Sequence, residues 1–206
     1  KDKIPFLLHD EKLNRTTSGK GYPYNHKYKY IKTLDAGSWF SSKFKNIYPP
    51  TLKEIIEICY KKNIGINIEL KPNKNKEKEN VESILSLLKK YLGVKIFFSS
   101  FDYYSISLLR SISNNNNISF LIDSFEENKN IENIIQNCLN IKCFAVGFNI
   151  EIINKEIVKY CKKNNLFVTV YSNKSIKYSQ ALELWNLGVD SIFIDDPRFF
   201  KKILNY

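Results

Sequence analysis

The chain has 206 residues, 43% of them apolar and 26% charged, and its 32 basic and 21 acidic side chains give a net charge of +11. That usage is globular: too apolar for a disordered tail, without the glycine content of a collagen, and long enough to bury a full core. The longest apolar runs, such as Phe144–Phe148, fall far short of the roughly 20 residues that a membrane helix needs. Methionine is absent and the first residue is Lys1. The sequence is therefore expected to be a piece of a longer product that has lost its beginning, and any leader would have lain in that piece.

Among the basic residues only Arg15, Arg110 and Arg198 are arginines. Heavy use of Lys, Asn and Ile together points to an AT-rich genome. The positive excess lies almost wholly in residues 1–100, which leaves two readings open, base composition or a surface for a polyanion. Specific nucleic-acid readers favour arginine for bidentate base contacts, and no nucleic-acid-binding signature is present. No nucleic-acid partner is expected.

In chain order, IPFLLHD is a short apolar run that stops at His9-Asp10, and residues 11–50 follow as a long irregular excursion with little period of either kind. Thr51 and Glu54 form a capping box that opens an amphipathic helix through about Lys62, stopped by Asn63 and Gly65. GINIELK then reads as a strand broken by Pro72. The alternation continues with helix Glu79–Tyr91, strand VKIFFSS, helix Tyr103–Ile112, a turn at Asn114–Asn117 and strand ISFLID. Helix Ile131–Cys138 precedes strand CFAVGF, helix Asn154–Lys163 precedes LFVTVY, and helix Ser179–Leu187 precedes SIFID, with a last helix from Pro197. The strands are continuous apolar runs, the pattern of a parallel sheet covered on both faces.

Six strand–helix units follow Gly65, and eight would close a barrel of about 250 residues. No glycine-rich phosphate fingerprint follows any strand, which argues against an open dinucleotide-binding sheet. The predicted architecture is α/β, a (β/α)8 or TIM-type barrel lacking its first two strands, with residues 1–206 as one domain. A barrel so opened exposes sheet edges, so the chain by itself is expected to be insoluble or molten.

Chemistry in such a barrel sits at the C-terminal ends of the strands, here Glu69 with Lys71, Ser99 to Phe101, Asp123, Phe148-Asn149, Tyr171 and Asp195-Asp196. Glu69 lies between Ile68 and Leu70 and shares a strand face with Lys71. A carboxylate beside an ammonium suits either a metal with an anionic substrate or a structural ion pair. His9 at the end of an apolar run suits general acid–base work or a structural hydrogen bond. His26 has no partner in view and reads as structural. Ser100 lacks a nucleophile-elbow pattern. Trp39, Phe40, Phe101 and Tyr171 read as core and pocket wall. The four cysteines contain no CxxC pair and only two histidines accompany them, so no zinc site is expected; Cys59 and Cys161 fall in helical apolar patterns as buried thiols.

LLHDEKLNRTTSGKG (7–21), LDAGSWFSSKF (34–44), PPTLKEII (49–56), INIELKP (66–72), FFSSFD (97–102), VTVYSNK (168–174) and LGVDSIFIDDP (187–197) resemble, in order, the successive motifs of the glycerophosphodiester phosphodiesterases. LDAGSWF and the compact length resemble the short cytoplasmic bacterial form. The resemblance implies a TIM barrel that hydrolyses glycerophosphodiesters to sn-glycerol 3-phosphate and an alcohol, with a divalent metal, Mg²⁺ or Ca²⁺. It implies that His9 is the second of two catalytic histidines, that Glu69 is a metal ligand and that Lys71 faces the phosphate. It also implies that Phe101 and Tyr171 meet the substrate, Tyr171 at the glycerol end.

The family's His-Arg-Gly and Glu-x-Asp motifs, which carry the first histidine and two further metal ligands, have no counterpart between Lys1 and Tyr206. The chain alone is accordingly expected to be inactive. A catalytically dead barrel remnant, a binding protein on the same fold and a lysine-based polyanion binder are the other readings.

Overall fold

A computed structural model of the chain describes residues 1–91, 93–125 and 130–200. Two units emerge, 1–96 and 97–206, and each is taken by itself.

In the first unit the apolar run Ile4–Leu8 makes only one antiparallel bridge, Phe6 to Thr51. Leu7 N donates to the Pro50 carbonyl and Leu52 N to the Pro5 carbonyl, both at 2.9 Å. Pro5, Pro49 and Pro50 have no N–H to extend that pairing into a ladder. The excursion 11–50 is irregular as expected, apart from single turns at Pro23–Asn25 and Ser42–Phe44 and a short helix α1 (Tyr28–Ile31). Its core is Leu13, Tyr28, Ile31 and Leu34, with Phe6 and Leu8 packed against them.

Helix α2 (Leu52–Lys62) begins at the capping box. Thr51 Oγ1 accepts from Glu54 N at 3.1 Å, and the Glu54 carboxylate accepts from Thr51 N and Oγ1, each at 2.7 Å. It also accepts from the Tyr48 hydroxyl at 2.8 Å. Asn63 ends the helix with φ 50°, the left-handed turn that Asn tolerates. Strand β1 (Ile66–Glu69) and helix α3 (Glu77–Leu88) complete the unit.

The second unit holds β2 (Ile96–Ser100), α4 (Tyr103–Ile112), β3 (Asn117–Ile122), α5 (Ile131–Asn140), β4 (Ala145–Asn149), α6 (Lys155–Lys163), β5 (Phe167–Tyr171), α7 (Tyr178–Leu187) and β6 (Ser191–Ile192). Strands β2 to β6 pair in parallel, each with its successor in the sequence. Residues 118–122 and all of β4 are buried, as both faces of a covered parallel sheet require. A Cβ on Gly147 would stand 2.5 Å from Leu121 Cδ2 and 2.8 Å from Thr169 Oγ1, so the sheet closes over β4 only because that residue is glycine.

Local chemistry sets the helix starts. Asp102 caps α4, Asn130 caps α5 and Asn154 caps α6, while α7 stops at Gly188 with φ 97°. From α4, Arg110 donates to the carbonyls of Ile141 (2.8 Å), Asn116 (2.8 Å), Lys142 (2.9 Å) and Asn114, and so ties together the loops that lead into β3 and β4. Cys138 and Cys161 are buried thiols, whereas Cys59 is only half-buried. The segment from Pro197 begins with a 3-10 turn to Phe200, and the rest of the last predicted helix lies outside the described residues.

Two measurements test this local account. The Glu54 carboxyl is held down to about 2, below the ordinary carboxylate range, chiefly by the Thr51 backbone amide, then by the Thr51 and Tyr48 hydroxyls. Its contribution is therefore complete above the ordinary carboxylate value and is lost as pH falls toward about 2. Glu54→Gln should lower the melting temperature at neutral pH and flatten the acid limb of the stability curve, read by circular dichroism. Arg110→Lys, which keeps the charge but cannot reach several carbonyls from a forked donor set, should cost about 1.5–3 kcal/mol in urea unfolding.

Candidate active site

The first unit gathers three of the predicted residues. Strand β1 ends at Glu69, and Lys71 follows two positions on. Lys71 Nζ lies 3.4 Å from Glu69 Oε1 and donates to the His9 backbone carbonyl at 3.0 Å. The ammonium therefore joins the end of the first apolar run to the end of β1. Glu69 Oε1 is buried and has no hydrogen bond among the described residues; the Lys71 ammonium answers its charge without meeting its lone pairs squarely. Such an orphaned carboxylate oxygen is a fit ligand for a hard cation.

The His9 side chain is exposed, with Nδ1 at 2.8 Å from Asp10 Oδ1. Asp10 also takes both ends of the Arg15 fork, Nε on Oδ2 at 2.7 Å and Nη2 on Oδ1 at 2.5 Å. Arg15 can only donate, so its 3.3 Å approach to His9 Nδ1 does not compete for the imidazole proton. The acceptor beside Nδ1 is Asp10, so in a neutral imidazole the proton belongs on Nδ1 and the lone pair on Nε2. The Arg15 bond, and then the His9 bond, hold the Asp10 carboxyl far below the usual carboxylate range. The arrangement can keep an imidazole oriented for proton transfer at Nε2 and can place one positive charge beside an anion.

In the second unit Phe101 and Tyr171 meet edge to face, with ring centroids 5.5 Å apart at 90°. The Tyr171 hydroxyl stands 3.0 Å from Asp123 Oδ1 and 3.1 Å from the Ile122 carbonyl. Asn149 Nδ2 donates to the same Asp123 oxygen at 2.9 Å, and Asn149 Oδ1 accepts from Glu151 N at 3.1 Å. The phenol is thus fixed from strands β3 and β4. Asp195 accepts from the Ser175 hydroxyl and Asp196 binds Arg198, so both carboxylates at the end of β6 have partners. His26 stacks on Tyr30, ring centroids 4.4 Å apart, in keeping with a structural role.

Trp39 and Phe40 correct the expectation of core or pocket wall, for they are 51% and 69% exposed. Asp35 accepts from Gly37 N, Ser38 N, Ser38 Oγ and Asn46 N and ties residues 35–46 into a closed loop that turns these rings outward. Sequence reasoning also gave no role to Asp10 and Arg15. Their signal was present: a carboxylate next to the one histidine at a strand-like end, and one of only three arginines.

Among the described residues no three His, Cys, Asp or Glu side chains converge on a metal position. A magnesium or calcium ion takes about six to eight oxygen ligands, so Glu69 fits as one member of such a set and does not make a cage. No helix among the described residues is long and apolar enough to cross a membrane.

Comparison with known proteins places the fold and the family. The sequence model of the glycerophosphoryl diester phosphodiesterase family matches residues 1–198. A glycerophosphodiester phosphodiesterase of Caldanaerobacter subterraneus is 28% identical over 200 residues, 96% of this chain and 79% of that protein. Among solved structures, an Oleispira antarctica phosphodiesterase in complex with the product sn-glycerol-3-phosphate superposes with a TM-score of 0.89 at 26% identity, covering 100% of this chain and 81% of that one. A glycerophosphodiester phosphodiesterase of Agrobacterium tumefaciens, with a TM-score of 0.76 at 24% identity over 97% of this chain and 81% of that one, repeats the fold. The alternation of parallel strands and helices is that of the TIM-barrel type, as the strand–helix count predicted. This chain belongs to the glycerophosphoryl diester phosphodiesterase family, a family of phosphoric diester hydrolases.

Proposed function

We propose that the protein hydrolyses glycerophosphodiesters to sn-glycerol 3-phosphate and an alcohol, with residues 1–206 forming the greater part of one catalytic domain. The observation that carries this reading is Lys71, whose ammonium stands 3.0 Å from the His9 carbonyl and 3.4 Å from Glu69 Oε1. It ties the backbone of His9 to a half-buried carboxylate and a positive charge at the end of β1. The Oleispira relative, bound to sn-glycerol-3-phosphate, supports a small phosphorylated ligand. A cytoplasmic location, with a role in glycerol and lipid metabolism, is part of the same proposal and rests on the likeness to the short bacterial form.

Cleavage of a phosphodiester requires that the anionic phosphoryl group be neutralised and the departing alkoxide protonated. Lys71 supplies positive charge to the phosphoryl oxygens. His9 is one of two acid–base histidines, and it takes or returns a proton at Nε2 while Asp10 holds Nδ1. Glu69 is a ligand of a divalent ion, Mg²⁺ or Ca²⁺, which when bound would add Lewis-acid stabilisation of the phosphoryl charge. Divalent-metal dependence is general in the family. Phe101 and Tyr171 contact the substrate, and Asp123 with Asn149 fixes the Tyr171 hydroxyl.

The test is release of sn-glycerol 3-phosphate by the protein in the form its cell produces. His9→Ala should lower the rate by about 10²–10⁴, and Glu69→Ala should abolish the stimulation by added Mg²⁺ or Ca²⁺. Turnover that survives both substitutions would refute the site. Asp10→Asn puts an amide donor where Nδ1–H needs an acceptor; kcat should fall by up to about 10⁴ with KM little changed, and Asp10→Glu should recover part of the loss.

A further inference from the structure

The loop that Asp35 closes presents four large apolar side chains to solvent: Trp39 (51% exposed), Phe40 (69%), Phe44 (44%) and Ile47 (49%). Three of them form one surface, since Trp39 and Phe40 rings lie 5.9 Å apart and Phe40 and Phe44 rings 5.8 Å apart. The display is held in place. Asp35 is saturated by four donors, Ala36 N donates to the Ile47 carbonyl at 2.6 Å, and a Cβ on Gly37 would fall 1.9 Å from the Phe44 carbonyl oxygen. The Trp39 indole N–H is bonded to the Ala36 carbonyl at 2.9 Å, so the ring can leave water without stranding a donor.

Positive charge predominates near the rings: Arg15, itself paired with Asp10, stands with its guanidinium carbon 5.3 Å from the Trp39 ring centroid. Lys43 and Lys45 are exposed within the same loop, and their ammonium groups meet no carboxylate among the described residues. Between Lys12 and Lys53 the chain carries nine basic side chains and a single acidic one, Asp35, whose carboxylate is turned into its own loop by neutral donors. Aromatic and aliphatic side chains at the centre with unpaired lysines at the rim are the composition of an interfacial membrane anchor.

We infer that the loop 36–47 docks the protein on an anionic lipid surface, its rings entering the headgroup region and Lys43 and Lys45 meeting lipid phosphates. The occupant is a bilayer rather than a nucleic acid. Two of the four apolar groups, Trp39 and Phe40, sit in an edge-to-face pair at 70° that offers no open slot for a stacked base, and Ile47 has no ring on which a base could stack. Docking is read without substrate and stands or falls apart from the proposed hydrolysis.

The experiment is co-sedimentation of the protein with phosphatidylcholine vesicles, with and without about a quarter phosphatidylglycerol, enough to give the surface a negative potential. Binding should appear only with the anionic lipid and should weaken sharply between about 0.05 and 0.5 M salt. Trp39→Ser combined with Phe40→Ser, and separately Lys43→Glu combined with Lys45→Glu, should each weaken it about tenfold or more. Circular dichroism should show both variants folded, the lysine variant melting with the parent and the aromatic one somewhat lower, because Trp39 gives up its bond to the Ala36 carbonyl and its contact with Arg15. Equal binding to neutral and anionic vesicles, binding unchanged in both variants, or no binding at low salt would overturn the inference. So would loss of vesicle binding to a competing single-stranded oligonucleotide, or self-association that disappears in the aromatic variant.

Discussion

A carboxylate at the end of an apolar strand has to be met by something, and in the first unit Glu69 is met by Lys71. The match is incomplete, for one carboxylate oxygen stays buried with no hydrogen bond among the described residues. The side chain keeps about a third of its surface in water, 31%, but an oxygen withdrawn from water without a hydrogen bond still costs free energy. The same lysine reaches back 62 residues to the His9 carbonyl, so the backbone at His9 is tied to the ion pair. Charge matching at the end of β1 and the path of the first apolar run are one constraint.

A second constellation in that unit acts on direction rather than place. Asp10 receives His9 on one side and the whole Arg15 fork on the other, which keeps the carboxylate ionised and the imidazole in one tautomer. The second unit does for a phenol what the first does for an imidazole. Asp123, itself fixed by Asn149, holds the Tyr171 hydroxyl, and the ring is left edge-on to Phe101. In each case a strand-end or loop carboxylate orients an aromatic side chain by its one titratable or polar atom.

How much of this the sequence disclosed depended on the range of the interaction. Helices α2, α4, α5 and α6 start where Thr51, Asp102, Asn130 and Asn154 put a cap, because capping is decided within four residues. The strands β3, β4 and β5 were legible as unbroken apolar runs, since both faces are covered. The run Ile4–Leu8 has the composition of a strand, yet it makes a single bridge: its pairing partner is a proline pair some 45 residues away, which local pattern cannot reveal. Trp39 and Phe40 misled for the reverse reason. Large aromatic rings are usually buried, and only the Asp35 hydrogen bonds across eleven positions show that this loop turns them out. Glu69, Lys71 and His9 could be listed as strand-end candidates, but their convergence is a long-range fact.

The three arginines show where this chain resists its own composition. Lysine serves nearly everywhere a positive charge is wanted, as an AT-rich coding sequence favours. Arg15 forks onto Asp10, Arg198 forks onto Asp196, and Arg110 spreads across four carbonyls from separate loops. Each needs a planar group with several donors at fixed angles, which an ammonium on a flexible stem cannot provide. In a chain so rich in lysine, each of the three arginines stands where geometry outweighs charge. Two of the three hold up loops or strand ends, and the third stands next to the histidine. The scarce guanidinium groups thus form a map of directional bonding.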